Sequence, residues 1–356
     1  MRKLSRKNFI LNSAKGAIAA PFISYGALSG NSIIDPKPEP ADQNEVPVFR
    51  FLQVNDIHVQ SNNTRYRPKS GPTYLNANSR AFWLMEAINS NRFFKPLDFV
   101  IGIGDMVYGE SVEGIQYDLD FFKEHFVSQL RIPFYPVMGN HENKQQEGNP
   151  EYEGPYVKIY GEDKVNYSFV QKGIHFIVLN SSGTWNVRDQ KILDNRKAVF
   201  SKMLDSEPSL PKIICCHVPF LPVREKKVLA ESFGFTSYYT KETELVDLIE
   251  QKKDKVLAVL SGHLHITGVV KVNSIYHVSI AGLASYPHDM AVYSVYKDRI
   301  ETEVIRVPSD LLEPSTNIHG AKRFGFDFTD ELHPDYTSYI MGNQSERRFA
   351  IPLRKA

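Results

Sequence analysis

Short apolar runs recur along this chain, and the spacers between them change character part-way. Runs of about four to eight apolar, β-branched and aromatic residues bounded by turn signals read as buried strands. They fall at 48–54, 99–103, 134–138, 167–170, 174–179, 212–216, 256–260, 275–280, 292–296 and 301–305. Between the early runs, apolar residues recur three and four apart, the spacing of one helix face, at 80–94, 114–130, 190–204 and 242–251. Alternating strands and helices make parallel βαβ units, whereas the late strands follow one another closely, as hairpins do. The pattern predicts an α/β fold beginning near Pro47, with no repeat of solenoid length.

The stretch before Pro47 is different. Residues 1–7 carry four basic side chains, Arg2, Lys3, Arg6 and Lys7, and residues 9–28 are mildly apolar and rich in Ala and Gly. That is the layout of an export signal. Lys15 and Pro21 interrupt it, which argues against a permanent transmembrane anchor. The segment Ser5-Arg6-Lys7-Asn8-Phe9-Ile10 resembles a twin-arginine export signal with Lys7 in the second arginine's place. We expect residues 1–30 to be that signal, cleaved after Ala19 or later, residues 31–46 a flexible linker, residues 47–306 the folded domain and residues 307–356 a C-terminal extension. The expected location is periplasmic or secreted. Polar loops at 60–79, 142–154 and 220–240 are long for a compact domain, and such loops are usually functional or disordered.

Composition narrows the partners. Lys plus Arg number 42 against 41 for Asp plus Glu, a net charge of +1, so no overall field recruits a nucleic-acid polymer or an anionic membrane. The two cysteines, Cys215 and Cys216, are neighbours and build no disulfide framework. On a strand they point to opposite faces and read as small buried hydrophobes. A chain of 356 residues buries enough core to do without staples.

The chemistry lies at the strand ends. The first strand ends in Asp56-Ile57-His58, the second in Gly104-Asp105, the third in Gly139-Asn140-His141-Glu142, and later ones in His217 and in Gly262-His263-Leu264-His265. Five of the eleven histidines thus share one sheet edge with two aspartates and an asparagine. In open α/β sheets the carboxyl ends of strands face the ligand crevice. All-nitrogen and oxygen donors suit Zn, Mn, Fe or Ni. Seven such ligands exceed one tetrahedral ion and match two if a carboxylate bridges them, with Asp105 the natural bridge.

The ordered set Asp-x-His, Gly-Asp, Gly-Asn-His-Glu, His, Gly-His-x-His resembles the calcineurin-like metallophosphoesterase superfamily over residues 49–305. The resemblance implies a four-layer α/β/β/α sandwich of two mixed sheets flanked by helices, with a dinuclear centre at the strand ends. It implies that Asp56, His58, Asp105 and His265 hold one metal, that Asp105, Asn140, His217 and His263 hold the other, and that His141 acts on the substrate. Phosphate-ester hydrolysis by a two-metal-activated hydroxide follows, most simply of a phosphomonoester. A phosphodiester of a nucleotide, cyclic nucleotide or phospholipid head group is the alternative, and an inactive metal-binding scaffold the non-enzyme rival. The partner implied is a phosphorylated small molecule.

Tyr108 narrows the branch. Phosphoprotein phosphatases of the superfamily carry an aspartate there, followed by an arginine, and Tyr108-Gly109-Glu110 supplies neither. Purple acid phosphatases carry a tyrosine there but lack a counterpart of His58. The stretch from Tyr167-Ser168-Phe169 to His175-Phe176-Ile177-Val178-Leu179-Asn180 also resembles the secreted acid phosphatase branch. Tyr108 and Glu142 are candidates for supporting the ligands or facing substrate. Arg65 and Arg67, with Lys69, and Arg224 are loop cations able to meet a phosphate, and Trp185 and Tyr286 are candidates for stacking on a leaving group.

Overall fold

The structure, a computed structural model, describes residues 45–61, 76–183, 189–226, 229, 242–312 and 335–353. These lie within one unit, Ile34–Ala356. Its strands are β1 (Phe49–Val54), β2 (Phe99–Ile103), β3 (Phe134–Val137), β4 (Tyr167–Gln171), β5 (Ile174–Val178), β6 (Lys212–Cys215), β7 (Val256–Ser261), β8 (Gly268–Val272), β9 (Ile275–Ser279), β10 (Asp289–Val295), β11 (Arg299–Arg306) and β12 (Arg348–Pro352). The principal helices are α1 (Ala77–Ser90), α2 (Val112–His125), α3 (Pro150–Tyr160), α4 (Gln190–Asp205) and α5 (Thr243–Gln251), and the short α6 (Tyr336–Met341) and α7 (Gln344–Arg347) lead into β12.

The strands form two six-stranded mixed sheets, ordered β12-β11-β10-β1-β2-β3 and β4-β5-β6-β7-β9-β8. In the first, β1, β2 and β3 run parallel and β10, β11 and β12 add on antiparallel. In the second, β5, β6, β7 and β9 are parallel, with β4 and β8 antiparallel at the edges. Strands buried on both faces read as continuous apolar runs, which is why β2, β5 and β7 were plain in the sequence.

Three apolar layers result. The central one lies between the sheets and is cemented by aromatic rings: Phe51 stacks on Tyr293 at 4.6 Å and on Phe99 at 5.1 Å, and Phe176 meets it edge-on at 5.3 Å. Each such pair adds about 0.5–1.5 kcal/mol beyond area burial. Outside the first sheet, Leu84, Ile88, Ile115, Leu119 and Phe122 of α1 and α2 cover Leu52, Val54 and Val100. Outside the second, Phe200, Leu204, Leu245 and Ile249 of α4 and α5 cover Ile177, Ile214 and Val259. This is the expected four-layer sandwich.

Three elements differ from the sequence expectation. Residues 142–154 read as loop, yet α3 starts at Pro150, where Asn149 accepts the Glu151 N–H at 3.0 Å and proline fills the first helical position. Pro155 inside the helix had masked it. The strand β8 joins β9 through Asn273-Ser274, both with positive φ (47° and 72°), a two-residue hairpin without the usual glycine. The domain does not stop at residue 306, because β12 extends the first sheet and buries Phe349 and Ile351 in the central layer. Among the described residues no helix is long and apolar enough to cross a membrane. The expected export signal, and the linker up to residue 44, lie outside the described residues.

Candidate metal centre

Five strand ends meet at one edge of the sandwich. After β1, Asp56 and His58 turn the backbone left-handed (φ 48° and 56°); Asp105 does so after β2 (52°), and His263 and His265 after β7 (69° and 52°). Left-handed backbone disfavours a residue with a Cβ by roughly 1–2 kcal/mol. Its concentration at five neighbouring polar residues marks strain held in place to aim side chains. Asn140 and His141 follow β3, and His217 follows β6.

The side chains gather into two groups, joined by a third that takes one member from each. Asp56, His58 and His265 bring ligand atoms within 4.8 Å of one another, as do Asp105, His217 and His263, and so do His58, Asp105 and His141. Asp56 Oδ1 lies 3.1 Å from His265 Nε2 and 3.8 Å from His58 Nε2. Asp105 Oδ2 lies 3.2 Å from His217 Nε2 on one side and 3.8 Å from His58 Nε2 on the other, so one carboxylate oxygen faces both groups. Asn140 Oδ1 is 3.1 Å from His217 Nε2. His141 Nε2 is 3.9 Å from Asp105 Oδ2, and its side chain is 23% exposed where the other four imidazoles are buried.

Hydrogen bonds set the ring orientations. His217 Nδ1 donates to Ile103 O at 2.9 Å, His265 Nδ1 meets Ser285 Oγ at 2.8 Å, and His141 Nδ1 donates to the Tyr108 carbonyl. A proton on Nδ1 leaves Nε2 with a lone pair toward the site, the usual arrangement of a ligating imidazole. Burial would raise the Asp56 carboxyl, but the charges of His265 and His217 outweigh it and hold it well below the usual range. Asp105 is likewise lowered against burial, by His217 and His141. Burial opposes protonation of His217, yet Asp105 and Asp56 push it up to about 10, while burial drives His58 down to about 4 and His263 to about 3.

Glu142 supports this edge from beneath. Its carboxylate accepts the N–H groups of Gly139 (2.6 Å), Asp105 (2.8 Å), Met106 (2.7 Å) and Val107 (3.1 Å), tying the turn after β2 to the turn after β3. Burial and the Asp105 charge raise it to about 7. A Cβ at residue 139 would sit 2.2 Å from Asp105 N and 2.6 Å from Glu142 Oε2, so this crossing admits only glycine.

The family model for calcineurin-like phosphoesterases matches residues 49–267, from β1 through all five motif turns. The chain belongs to the calcineurin-like phosphoesterase family. No curated protein matches it. Among solved structures, a purple acid phosphatase from yellow lupin (Lupinus luteus) seeds is similar in fold, with a TM-score of 0.52 and 16% identity over 76% of this chain and 53% of that one. A dimetal phosphatase from Danio rerio gives a TM-score of 0.48 and 17% identity, over 72% of this chain and 96% of that one.

A calcineurin-like phosphoesterase implies a dinuclear metal centre, and the donors fit one. Asp56 Oδ1 is fully buried and accepts no hydrogen bond among the described residues, an anion aimed into a space lined by imidazole nitrogens. Two carboxylates and an amide oxygen among those nitrogens form a hard-to-borderline set suited to Zn, Mn or Fe.

The other candidates divide. Glu142 is 1% exposed and fully engaged by backbone donors, so it braces the turns and does not reach substrate. Tyr108 lies beside the same edge, its ring 5.7 Å from that of His141. Arg224 is no loop cation awaiting a phosphate: it is 5% exposed, and its guanidinium is spent on Glu346 (2.7 Å) and the carbonyls of Thr267, Tyr339 and Val223. Tyr286 is half-buried, with Arg306 over its ring at 5.5 Å. Arg65, Arg67, Lys69 and Trp185 lie outside the described residues. Two residues that act on this edge carry little signal in the sequence: Ser285, 20 residues from the His265 it meets, has no local mark, and Lys144, whose charge acts on His141, sits in a polar loop.

Proposed function

We propose that this phosphoesterase hydrolyses phosphomonoesters with two bound transition metals, as an exported enzyme of the acid-phosphatase-like branch. The observation that carries the reading is Asp105 Oδ2 facing both ligand groups, with Nε2 of the partly exposed His141 3.9 Å away. Asp56, His58, Asp105 and His265 would hold one ion and Asp105, Asn140, His217 and His263 the other. When bound, such a pair lowers the pKa of a shared water and neutralises phosphate oxygens.

The chain's own part is positioning and proton transfer. Hydrolysis joins a water oxygen to phosphorus and breaks the ester P–O bond, so the departing alkoxide needs a proton. His141 is fixed by its Nδ1–H bond to the Tyr108 carbonyl, which leaves Nε2 as the atom that carries the proton to that oxygen. Burial, the largest influence, lowers the His141 pKa from its ordinary value, and Asp105 and the Tyr108 carbonyl act against that shift. Lys144 is a half-buried cation close enough to feel the Asp105 charge and to act on His141. A dianionic monoester gains more from that extra positive charge than a monoanionic diester, which favours the monoester.

The test is turnover of the metal-loaded protein, with Mn²⁺ or Zn²⁺, on an aryl phosphate and on the bis-aryl phosphate. We expect the monoester to be preferred by at least about tenfold in kcat/KM. A preference for the diester sinks the monoesterase reading, and no turnover on either with two metals bound supports the scaffold. Export is tested separately, by the N-terminal residue of protein recovered outside the cytoplasm, which we expect to lie beyond Ala19.

A further inference from the structure

We propose that Asn55 is a positioning residue for the first ligand group: its side-chain amide dictates which oxygen of Asp56 is presented to the metal. The inference rests on the metal reading above. Asp56 Oδ2 is occupied by two donors, Asn55 Nδ2 at 2.6 Å and the backbone N–H of His263 at 2.9 Å. Oδ1 is left as the oxygen without a hydrogen bond among the described residues, 3.1 Å from His265 Nε2. The carboxylate cannot turn toward or away from the ion without breaking both bonds to Oδ2.

Asn55 is itself held by a chain of buried amides. Its Nδ2 also donates to Ile280 O at 2.9 Å, and its Oδ1 accepts from Gln53 Nε2 at 3.3 Å. Gln53 Nε2 donates in turn to Ser261 O at 2.9 Å, and Gln53 Oε1 accepts the Tyr293 hydroxyl at 2.8 Å. Gln53 and Tyr293 belong to β1 and β10 of the first sheet, whereas Ser261 ends β7 and Ile280 follows β9 in the second. The chain of bonds therefore crosses the slab between the sheets, buried throughout, and terminates on a metal carboxylate.

The surrounding backbone is cleared for this amide. A Cβ at residue 262 would lie 2.8 Å from Asn55 Nδ2 and 2.6 Å from Asp56 Oδ2, and one at residue 282 would lie 2.9 Å from Asn55 Nδ2. Glycine at both positions lets the side chain pass between two strand ends. A side chain without an N–H at residue 55 leaves Oδ2 with the His263 N–H alone and takes a donor from the Ile280 carbonyl, whereas an ordinary packing residue would need neither the glycines nor the relay.

The test is Mn²⁺ titration of the metal-stripped full chain by calorimetry, with electron paramagnetic resonance to read spin coupling between the two ions. Wild type is compared with Asn55→Ala and Gln53→Met, each checked for folding by circular dichroism. We expect Asn55→Ala to weaken one of the two Mn²⁺ sites by about 10- to 100-fold and to abolish the coupled signal at limiting Mn²⁺, with the other site changed by less than about threefold. Gln53→Met loosens Asn55 without touching Asp56 and is expected to weaken the same site by a smaller factor. If Asn55→Ala does not fold, Gln53→Met decides. Unchanged affinity in a folded variant, or equal loss at both sites, overturns the role of Asn55 alone. Failure of the wild type to bind Mn²⁺ overturns the metal reading and this inference with it.

Discussion

Of the five imidazoles at the strand-end edge of the sandwich, His141 alone is partly exposed, and its Nε2 faces Asp105 without the closer approach that His217 and His265 make to a carboxylate. We predict that His141→Ala keeps both metals and loses roughly 10²- to 10⁴-fold in kcat on an alkyl phosphate. The loss should be much smaller on a nitrophenyl ester, whose leaving group needs no acid; equal losses on both would contradict the proton role. His277 makes a separate prediction about stability. It is buried in β9, neither ring nitrogen has a hydrogen-bond partner among the described residues, and burial lowers its pKa to about 4. The unfolded chain takes up this proton near pH 6.5 while the folded chain refuses it until about pH 4. Stability is therefore present above pH 6.5 and lost as the pH falls through that window. Relative to His277→Leu, the wild type should lose about 2 kcal/mol between pH 7 and pH 5, measured by urea unfolding; parallel pH profiles would refute it. The candidate ligands were legible because Asp, Asn and His directly after apolar strands are conspicuous. Ser285 was not, because its approach to His265 is made across 20 residues by folding and leaves no local mark.

At the scale of elements, the C-terminal segment has a structural task. Arg224, in the loop after β6, pairs with Glu346 of α7, and Glu346 also accepts the Val269 N–H of β8 at 3.2 Å. The same guanidinium binds the carbonyl of Thr267, two residues past His265. A buried pair broken on one side strands the other charge, at a cost of about 3–5 kcal/mol. Arg224→Met should destabilise the protein by that amount, read as a lowered urea midpoint, and should leave KM for an aryl phosphate within about twofold once folded. A large rise in KM with unchanged stability would return Arg224 to the substrate side. The sequence showed an arginine in a loop and could not show Glu346, 122 residues away. Elements were legible where one physical rule governed them, as in β2 or β7. They were missed where rules conflicted: a proline within α3, a hairpin without glycine between β8 and β9, and in β12 an edge strand of only five residues in which Phe349 and Ile351 alternate with Arg348, Ala350 and Pro352.

For the molecule as a whole, the two sheets matter because each supplies part of one site. β1, β2 and β3 of the first sheet deliver Asp56, His58, Asp105, Asn140 and His141, and β6 and β7 of the second deliver His217, His263 and His265. The apolar slab of Phe51, Phe99, Phe176 and Tyr293 holds the sheets in register, and the Gln53–Asn55 relay crosses it beside the ligands. Parallel strands ending on one edge made this convergence readable from sequence, whereas the distances between the two ligand groups came only from the packed sheets. The proposed joining of two metals by one carboxylate, Asp105, is open to anomalous X-ray scattering from crystals of the Mn²⁺-loaded protein. Two anomalous peaks are expected about 3.5–4 Å apart, one on each side of Asp105 Oδ2; a single peak, or a pair that Asp105 does not touch, would rule the bridge out.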